Sequence, residues 1–193
     1  MIIWINGAFG VGKSHTAYEL ARRVDNSFIF DPEKVGFFLR KNLPNANQYD
    51  DFQQNPLWRS QVLENLKYCD KQGITTIVPM TIVNDEIFDF LIEGLRKNNS
   101  NVQHFALIAN KETVEKRLIR RGDKNAWNFK QVDRCLAALS KSKYDIQVDT
   151  EKKNLDEVVE YIARHCGLEL RENRLTWLLR KLIWIKVTLS LVR

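Results

Sequence analysis

The chain has 193 residues, of which 44% are hydrophobic and 28% charged, so it buries one sizeable core, and a disordered, collagen-like or low-complexity protein is excluded. Its formal charge of +6 suggests nucleic acid or an acidic membrane as partner until it is divided along the chain. From Arg171 onward six basic residues face one acid, a net +5, whereas the preceding residues hold 24 basic against 23 acidic, a net +1.

In chain order, Ile2 to Asn6 are β-branched and aromatic, as a buried strand requires, and they run into a glycine-rich loop and a helix over Ala17 to Arg23. Ser27 to Asp31 reads as a short strand, Glu33 to Leu43 as a helix and Pro44 to Pro56 as a polar loop. Leu57 to Gln72 is a helix stopped by Gly73, Ile74 to Met80 a strand, Asp85 to Lys97 a helix and Val102 to Ala109 a strand. Pro79 argues against a regular ladder to the end of its strand. Lys111 to Arg121 and Phe129 to Leu139 follow as helices, Tyr144 to Asp149 as a fifth strand, and Asn154 with Glu157 as a capping-box start for a helix to His165. Such alternation calls for an α/β fold, a parallel sheet wrapped by helices, with its ligand at the carboxyl ends of the strands.

The loop between the first strand and helix, Gly7-Ala8-Phe9-Gly10-Val11-Gly12-Lys13-Ser14, matches G-x-x-x-x-G-K-[ST] in its required strand-to-helix context. Glycines let the backbone N–H groups point inward around phosphate oxygens, and the helix N-terminus adds its partial positive charge. Lys13 is expected on the β- and γ-phosphates and Ser14 on Mg²⁺. His15, next in line, is counted with this ATP-binding loop. As metal ligands, His15, His104 and His165 show no suitable spacing, and structural roles fit them better. Cys69, Cys135 and Cys166 are odd in number and without C-x-x-C spacing, which implies neither a disulfide framework nor a zinc cluster and fits a reducing cytoplasm. The apolar run Ile2 to Ile5 is too short for a signal peptide.

The loops after the other strands should face the γ-phosphate. After strand two stands Asp31-Pro32-Glu33. A carboxylate there holds a metal-bound water or takes the proton of an attacking hydroxyl, or Asp31 simply caps the next helix with Pro32 at its first position. Asp31 is the expected catalytic and metal-binding residue of the two, with Glu33 on the substrate side. Arg40, Asp51, Gln53, Trp58 and Arg59 complete the expected substrate site. Asp51 and Gln53 suit sugar hydroxyls or a uracil-like edge, Trp58 a stacking face and Arg59 an anion clamp. Strand three ends in Val78-Pro79-Met80-Thr81 without the Asp that organises magnesium in many P-loop proteins, so either Asp31 takes that duty or Ser14, phosphates and water suffice. On the helix after strand four, Arg117 and Arg121 share a face with Arg120 alongside. Such guanidiniums stabilise charge on a transferring phosphoryl group, and one of them stacks on adenine.

Taken together, the opening run Met1 to Gly12 with Asp31-Pro32-Glu33, Asp51-Phe52-Gln53, Pro56-Leu57-Trp58-Arg59, the segment Ile77 to Val83 and Glu112-Thr113 resembles the bacterial tunicamycin resistance proteins over essentially the whole chain. The resemblance implies a three-layer, nucleoside-kinase-like P-loop fold with sheet order 2-3-1-4-5, ATP binding, and protection against a uridine-containing antibiotic. It further implies a lid at about residues 117–128, with Arg117 on adenine and Arg120 or Arg121 on the phosphates, and an acceptor-activating carboxylate at Asp31 or Glu33. The expected activity is phosphoryl transfer from Mg·ATP to a hydroxyl of tunicamycin or a similar nucleoside. Its alternatives are an ATP-dependent protein that sequesters the drug at the membrane, or a nucleoside or nucleotide kinase.

Two units are expected, a kinase-like domain over 1–170 and a basic C-terminal helix over 171–193. In that helix Leu175, Leu178, Leu182, Ile185 and Leu189 mark one face beside Trp177 and Trp184. Arg180, Lys181 and Lys186 interrupt it, so an interfacial helix on an anionic membrane surface fits better than a span, unless the helix docks on the body or on a second chain. A small-molecule substrate is expected, and no nucleic acid.

Overall fold

The computed structural model describes residues 1–45, 48–123, 126–140 and 146–191. Five strands, β1 (Ile2–Gly7), β2 (Ser27–Ile29), β3 (Thr75–Pro79), β4 (Val102–Ile108) and β5 (Ile146–Asp149), form one parallel sheet in the order β2-β3-β1-β4-β5. β1 is buried along its whole length because it lies in the middle of the sheet with helices on both faces. Its side chains alternate between the two cores. Ile2 and Trp4 join Trp58, Val62, Leu66, Phe88 and Leu118 on one side, and Ile3 and Ile5 join Leu20, Phe105 and Ile162 on the other.

The helices are α1 (Lys13–Arg23), α2 (Pro32–Asn42), α3 (Pro56–Lys71), α4 (Asp85–Phe88) and α5 (Gly94–Lys97), joined by a π-helical turn at Asp89–Glu93, then α6 (Lys111–Arg120), α7 (Ala126–Leu139), α8 (Leu155–His165) and α9 (Trp177–Leu191). Their starts are built by the sequence as expected. The Asn154 side chain accepts from the N–H of Glu157, whose carboxylate accepts in turn from the Asn154 N–H. Asn55 caps α3 by accepting from the Leu57 N–H, and Asn110 caps α6 by accepting from the Thr113 N–H. α7 begins three residues before the expected Phe129, at Ala126. Of the expected polar loop, Ala46 and Asn47 lie outside the described residues, as do Lys124 and Asn125 of the expected lid, Tyr144 and Asp145 of the fifth strand, and Val192 and Arg193 of the tail.

Pro79 does not break the ladder, for it pairs with Ile5. Thr76 and Met80 donate to Met1, just before β1, and to Ile5 of β1, whereas Thr75 donates to Asn26 beside β2. Odd-numbered residues of β3 therefore direct their N–H groups towards β2, whose last pair is Ile29 with Ile77. At Pro79 no strand remains on that side to receive a donor.

At the carboxyl end of β1 the buried Asn6 ties two segments together. Its Oδ1 accepts from the N–H groups of Gly7 (2.8 Å) and Ile82 (3.0 Å), and its Nδ2 donates to the Ile82 carbonyl (2.8 Å). Thr81 adds a bond from Oγ1 to the Gly7 carbonyl (2.8 Å). The segment after β3 is thus fastened to the entrance of the glycine-rich loop.

Candidate functional site

Above the carboxyl ends of the strands lies a cavity of about 970 Å³. Its floor is the loop from Phe9 to Thr16, which turns into α1 at Gly12 with φ +114° and bends earlier at Gly10 with φ +84°. Both angles lie in the left-handed region that side chains disfavour. A Cβ on Gly10 would also meet the Val114 carbonyl at 2.9 Å, so the loop needs glycine there for both conformation and space.

Lys13 sits in this loop with its Nζ donating to the carbonyls of Gly7 and Ala8, each at 3.0 Å, and 5.4 Å from the Phe9 ring centroid. Burial lowers its pKa from 10.5 to about 8, the charge of Arg121 pushes it the same way, and Glu33 and Cys135 oppose. His15 is also shifted down, first by burial and then by Arg121. Arg121 therefore stands within electrostatic reach of both. It pairs with Asp123, which also accepts from Asn128 at 2.8 Å, while its buried Nε has no hydrogen-bond partner. Two crowded cations, one with an unused donor, beside a cradle of backbone N–H groups fit the anionic oxygens of a nucleotide triphosphate.

Arg117 and Arg120 line the cavity with Arg121. Arg117 donates to the Val11 carbonyl (3.2 Å) and to Oγ1 and the carbonyl of Thr150 (2.9 and 2.8 Å), so it braces the glycine-rich loop against the segment after β5. The Arg120 guanidinium lies 5.8 Å from the centroid of Trp184 in α9.

The expected substrate residues divide. Glu33, Arg40, Asp51 and Gln53 line the cavity. Asp31 is not among its lining residues; its side chain caps α2 by accepting from the Glu33 N–H at 3.0 Å. Trp58 is wholly buried, with its Nε1 on the Pro32 carbonyl at 2.9 Å, so it offers no stacking face to the cavity. Arg59 also stays outside and donates to the Gln53 carbonyl at 2.7 Å. Gln53 reaches the Thr81 carbonyl at 3.1 Å, and Arg40 donates to the carbonyls of Tyr49 and Asp50. The first of these bonds holds the loop before α3 against the segment after β3, and the Arg40 bonds tie the same loop to α2. No group of three or more His, Cys, Asp or Glu side chains among the described residues is arranged to hold a metal ion. A magnesium ion here would rely on Ser14 and the phosphates.

Phe37, Phe52, Trp127, Thr150, Lys153 and Trp184 also line the cavity without having been singled out for it. Glu33, Phe37 and Arg40 fall four and three residues apart, which places them on one face of α2, and that signal was available in the sequence. Phe9 meets Trp127 edge-on at 5.4 Å, and Phe37 meets Phe52 at 6.2 Å, so two aromatic pairs wall part of the cavity.

The described part of α9 docks on α1. Val187 and Thr188 are buried, Trp184 stacks on His15 at 5.5 Å, and Thr188 Oγ1 lies 3.3 Å from His15 Nε2. Leu178, Leu182 and Ile185 of the expected apolar face point outward and are exposed. Side chains of Trp177 and Leu189 lie outside the described residues. No helix among the described residues is long and apolar enough to cross a membrane.

The family model described as an AAA domain matches residues 2–143, and no curated protein matches the chain. The tunicamycin resistance protein of Deinococcus radiodurans superimposes with a TM-score of 0.75 at 35% identity, covering 89% of this chain and 98% of that one. A sugar kinase from Janibacter (TM-score 0.65, 17% identity, 86% and 94% covered) and a gluconokinase from Sinorhizobium meliloti (0.61, 15%, 95% and 95%) share the fold. The five-stranded order, the phosphate cradle and this likeness agree, and the chain belongs to the tunicamycin resistance proteins within the P-loop, kinase-like AAA-domain family.

Proposed function

We propose that this protein transfers the γ-phosphate of ATP to a hydroxyl of tunicamycin or a closely similar nucleoside. The observation that carries the reading is the single cavity in which Lys13 and Arg121 face a phosphate cradle while Glu33 and a group of aromatic rings line the acceptor side. Rings at Phe37, Phe52 and Trp127 suit the flat face of a base-bearing acceptor. That favours a nucleoside over the sugars named for the fold neighbours.

In this reading Lys13, Arg120 and Arg121 bind the β- and γ-phosphates and neutralise charge that grows on the equatorial oxygens. Mg²⁺, when bound with the nucleotide, would be held on the protein side by the Ser14 hydroxyl and would withdraw charge from the phosphates. Glu33 accepts the proton of the acceptor hydroxyl as its oxygen bonds to the γ-phosphorus, and the bond from that phosphorus to the β–γ bridging oxygen breaks to release ADP. Asp31 positions Glu33 through the bond to its backbone N–H. The segment about 117–128 is the lid that excludes water as a competing acceptor. Mass spectrometry of tunicamycin incubated with protein and Mg·ATP should find drug enlarged by one HPO₃ unit. Bound but unmodified drug with ATP intact would support sequestration instead.

The outward face of α9 contacts an anionic membrane surface in this proposal. Leu178, Leu179, Leu182 and Ile185 are exposed there, with Lys181 and Lys186 exposed on the same helix. Arg171, Arg174 and Arg180 contribute less than their charge suggests, because they pair with Asp25, Glu172 and Asp156. Leu182→Glu should reduce co-sedimentation with phosphatidylserine-containing vesicles several-fold while leaving ATP binding intact. Sedimentation equal to wild type would remove the membrane contact from the account.

A further inference from the structure

Helix α9 has two faces with different employment. The positions Arg180, Trp184, Val187 and Thr188 recur at helical spacing and meet the body, where Arg180 donates to Asp156 at 2.7 Å and Val187 and Thr188 are buried. The chain leading into α9 is pinned as well. The backbone N–H of Arg171 donates to the Arg23 carbonyl at 2.8 Å, and the Asn173 amide donates to Glu19 at 3.0 Å and to Asp156 at 2.9 Å while accepting from Arg22 at 2.7 Å. These polar contacts set the register in which α9 lies along α1, and that register delivers Trp184 to the rim of the nucleotide cavity.

Trp184 is an unusual member of a docked face. It stacks on His15, the residue that follows the P-loop serine, with an interplanar angle of 25° and a centroid distance of 5.5 Å, and the Arg120 guanidinium lies 5.8 Å from its centroid. Yet it remains 39% exposed and lines the cavity with Thr150, Lys153, Leu155 and Val158. These residues come from the β5-to-α8 connection, from the start of α8 and from the tail. Among them Trp184 supplies the aromatic ring. A purine has two flat faces to bury, and aromatic stacking is how proteins bury them without demanding a particular edge.

We infer that Trp184 is a base-binding residue, so that the C-terminal helix completes the nucleotide site, and nucleotide affinity depends on a segment outside the P-loop core. The inference rests on the kinase reading in taking ATP as the nucleotide. It concerns the base alone, because the phosphates are held at Lys13 and Arg121.

Full-length wild type, Trp184→Leu and Trp184→Phe are to be titrated calorimetrically with Mg·ATP and with Mg·tripolyphosphate, which has no base. Leucine keeps the apolar packing on His15 without an aromatic face, and phenylalanine restores one. Trp184→Leu should raise the Kd for ATP about tenfold and leave that for tripolyphosphate within about twofold, and Trp184→Phe should bring ATP back to within about threefold of wild type. Unchanged ATP affinity in Trp184→Leu would overturn the inference. Equal weakening of both ligands would overturn it too, by showing that Trp184 only props the P-loop helix. Wild type binding neither ligand would overturn the kinase reading and the inference with it, whereas the first two outcomes leave that reading standing.

Discussion

Replacing Lys13 with alanine should lower the rate of phosphoryl transfer by about a thousandfold and weaken ATP binding severalfold, with the circular dichroism spectrum unchanged. The reason lies in how the ammonium is housed. It is half-buried in the floor of the cavity, shares its surroundings with Arg121, and donates to the carbonyls of Gly7 and Ala8 at 3.0 Å. Carbonyl dipoles compensate an ammonium less well than a phosphate does, and its pKa accordingly drops to about 8. A bound triphosphate returns the missing negative charge at the moment transfer requires it. The same housing sets a pH dependence. Below pH 8 the free protein holds Lys13 protonated and ready for phosphate; above it the proton is lost and must be recovered on binding. The Kd for ATP should therefore rise about tenfold between pH 7 and pH 9, and calorimetry at pH 9 in buffers of different ionisation enthalpy should register proton uptake. A flat profile with no proton uptake would place the ammonium elsewhere than against the phosphates.

The second large effect separates two neighbouring carboxylates. Glu33→Gln should reduce kcat by about 10²–10⁴-fold with little change in Kd for ATP, because Glu33 lines the cavity and acts on the charge of Lys13. Asp31→Asn should cost less than about tenfold, since its work is to cap α2 and asparagine caps as well as aspartate. The comparison is sharp because both substitutions remove one charge within three residues of each other. If Asp31→Asn were the silent enzyme and Glu33→Gln the active one, the proton would be leaving by way of Asp31, and the cavity would have to rearrange when substrate binds.

The fold was legible wherever a pattern was local. β-Branched strands, glycine stops and the Asn154 capping box marked the five strands and the helices between them, and the P-loop spacing located the phosphate cradle. The site was legible in part. Trp58 precedes Val62 and Leu66 at four-residue steps, all three wholly buried, so its spacing marked it as core although its ring suggested stacking. Glu33, Phe37 and Arg40 carried a face signal of the same kind on α2. Contacts across long stretches of sequence had no such signal. His15 meets Thr188 across 173 residues, and nothing near either residue announces the other. The tail's charge misleads for the same reason, because Arg171, Arg174 and Arg180 find acids, two of them on the body at Asp25 and Asp156. Composition counts charges and cannot show which are already neutralised by tertiary packing.

Transfer is read out by following the phosphate itself. In a single-turnover reaction with ATP labelled in its γ-phosphate, the label should move to tunicamycin with wild-type protein, and should stay on ATP with Lys13→Ala and Glu33→Gln. Label that remains on ATP or appears only as inorganic phosphate with wild-type protein, while tunicamycin is bound stoichiometrically, would contradict the account and leave a protein that holds the drug without changing it.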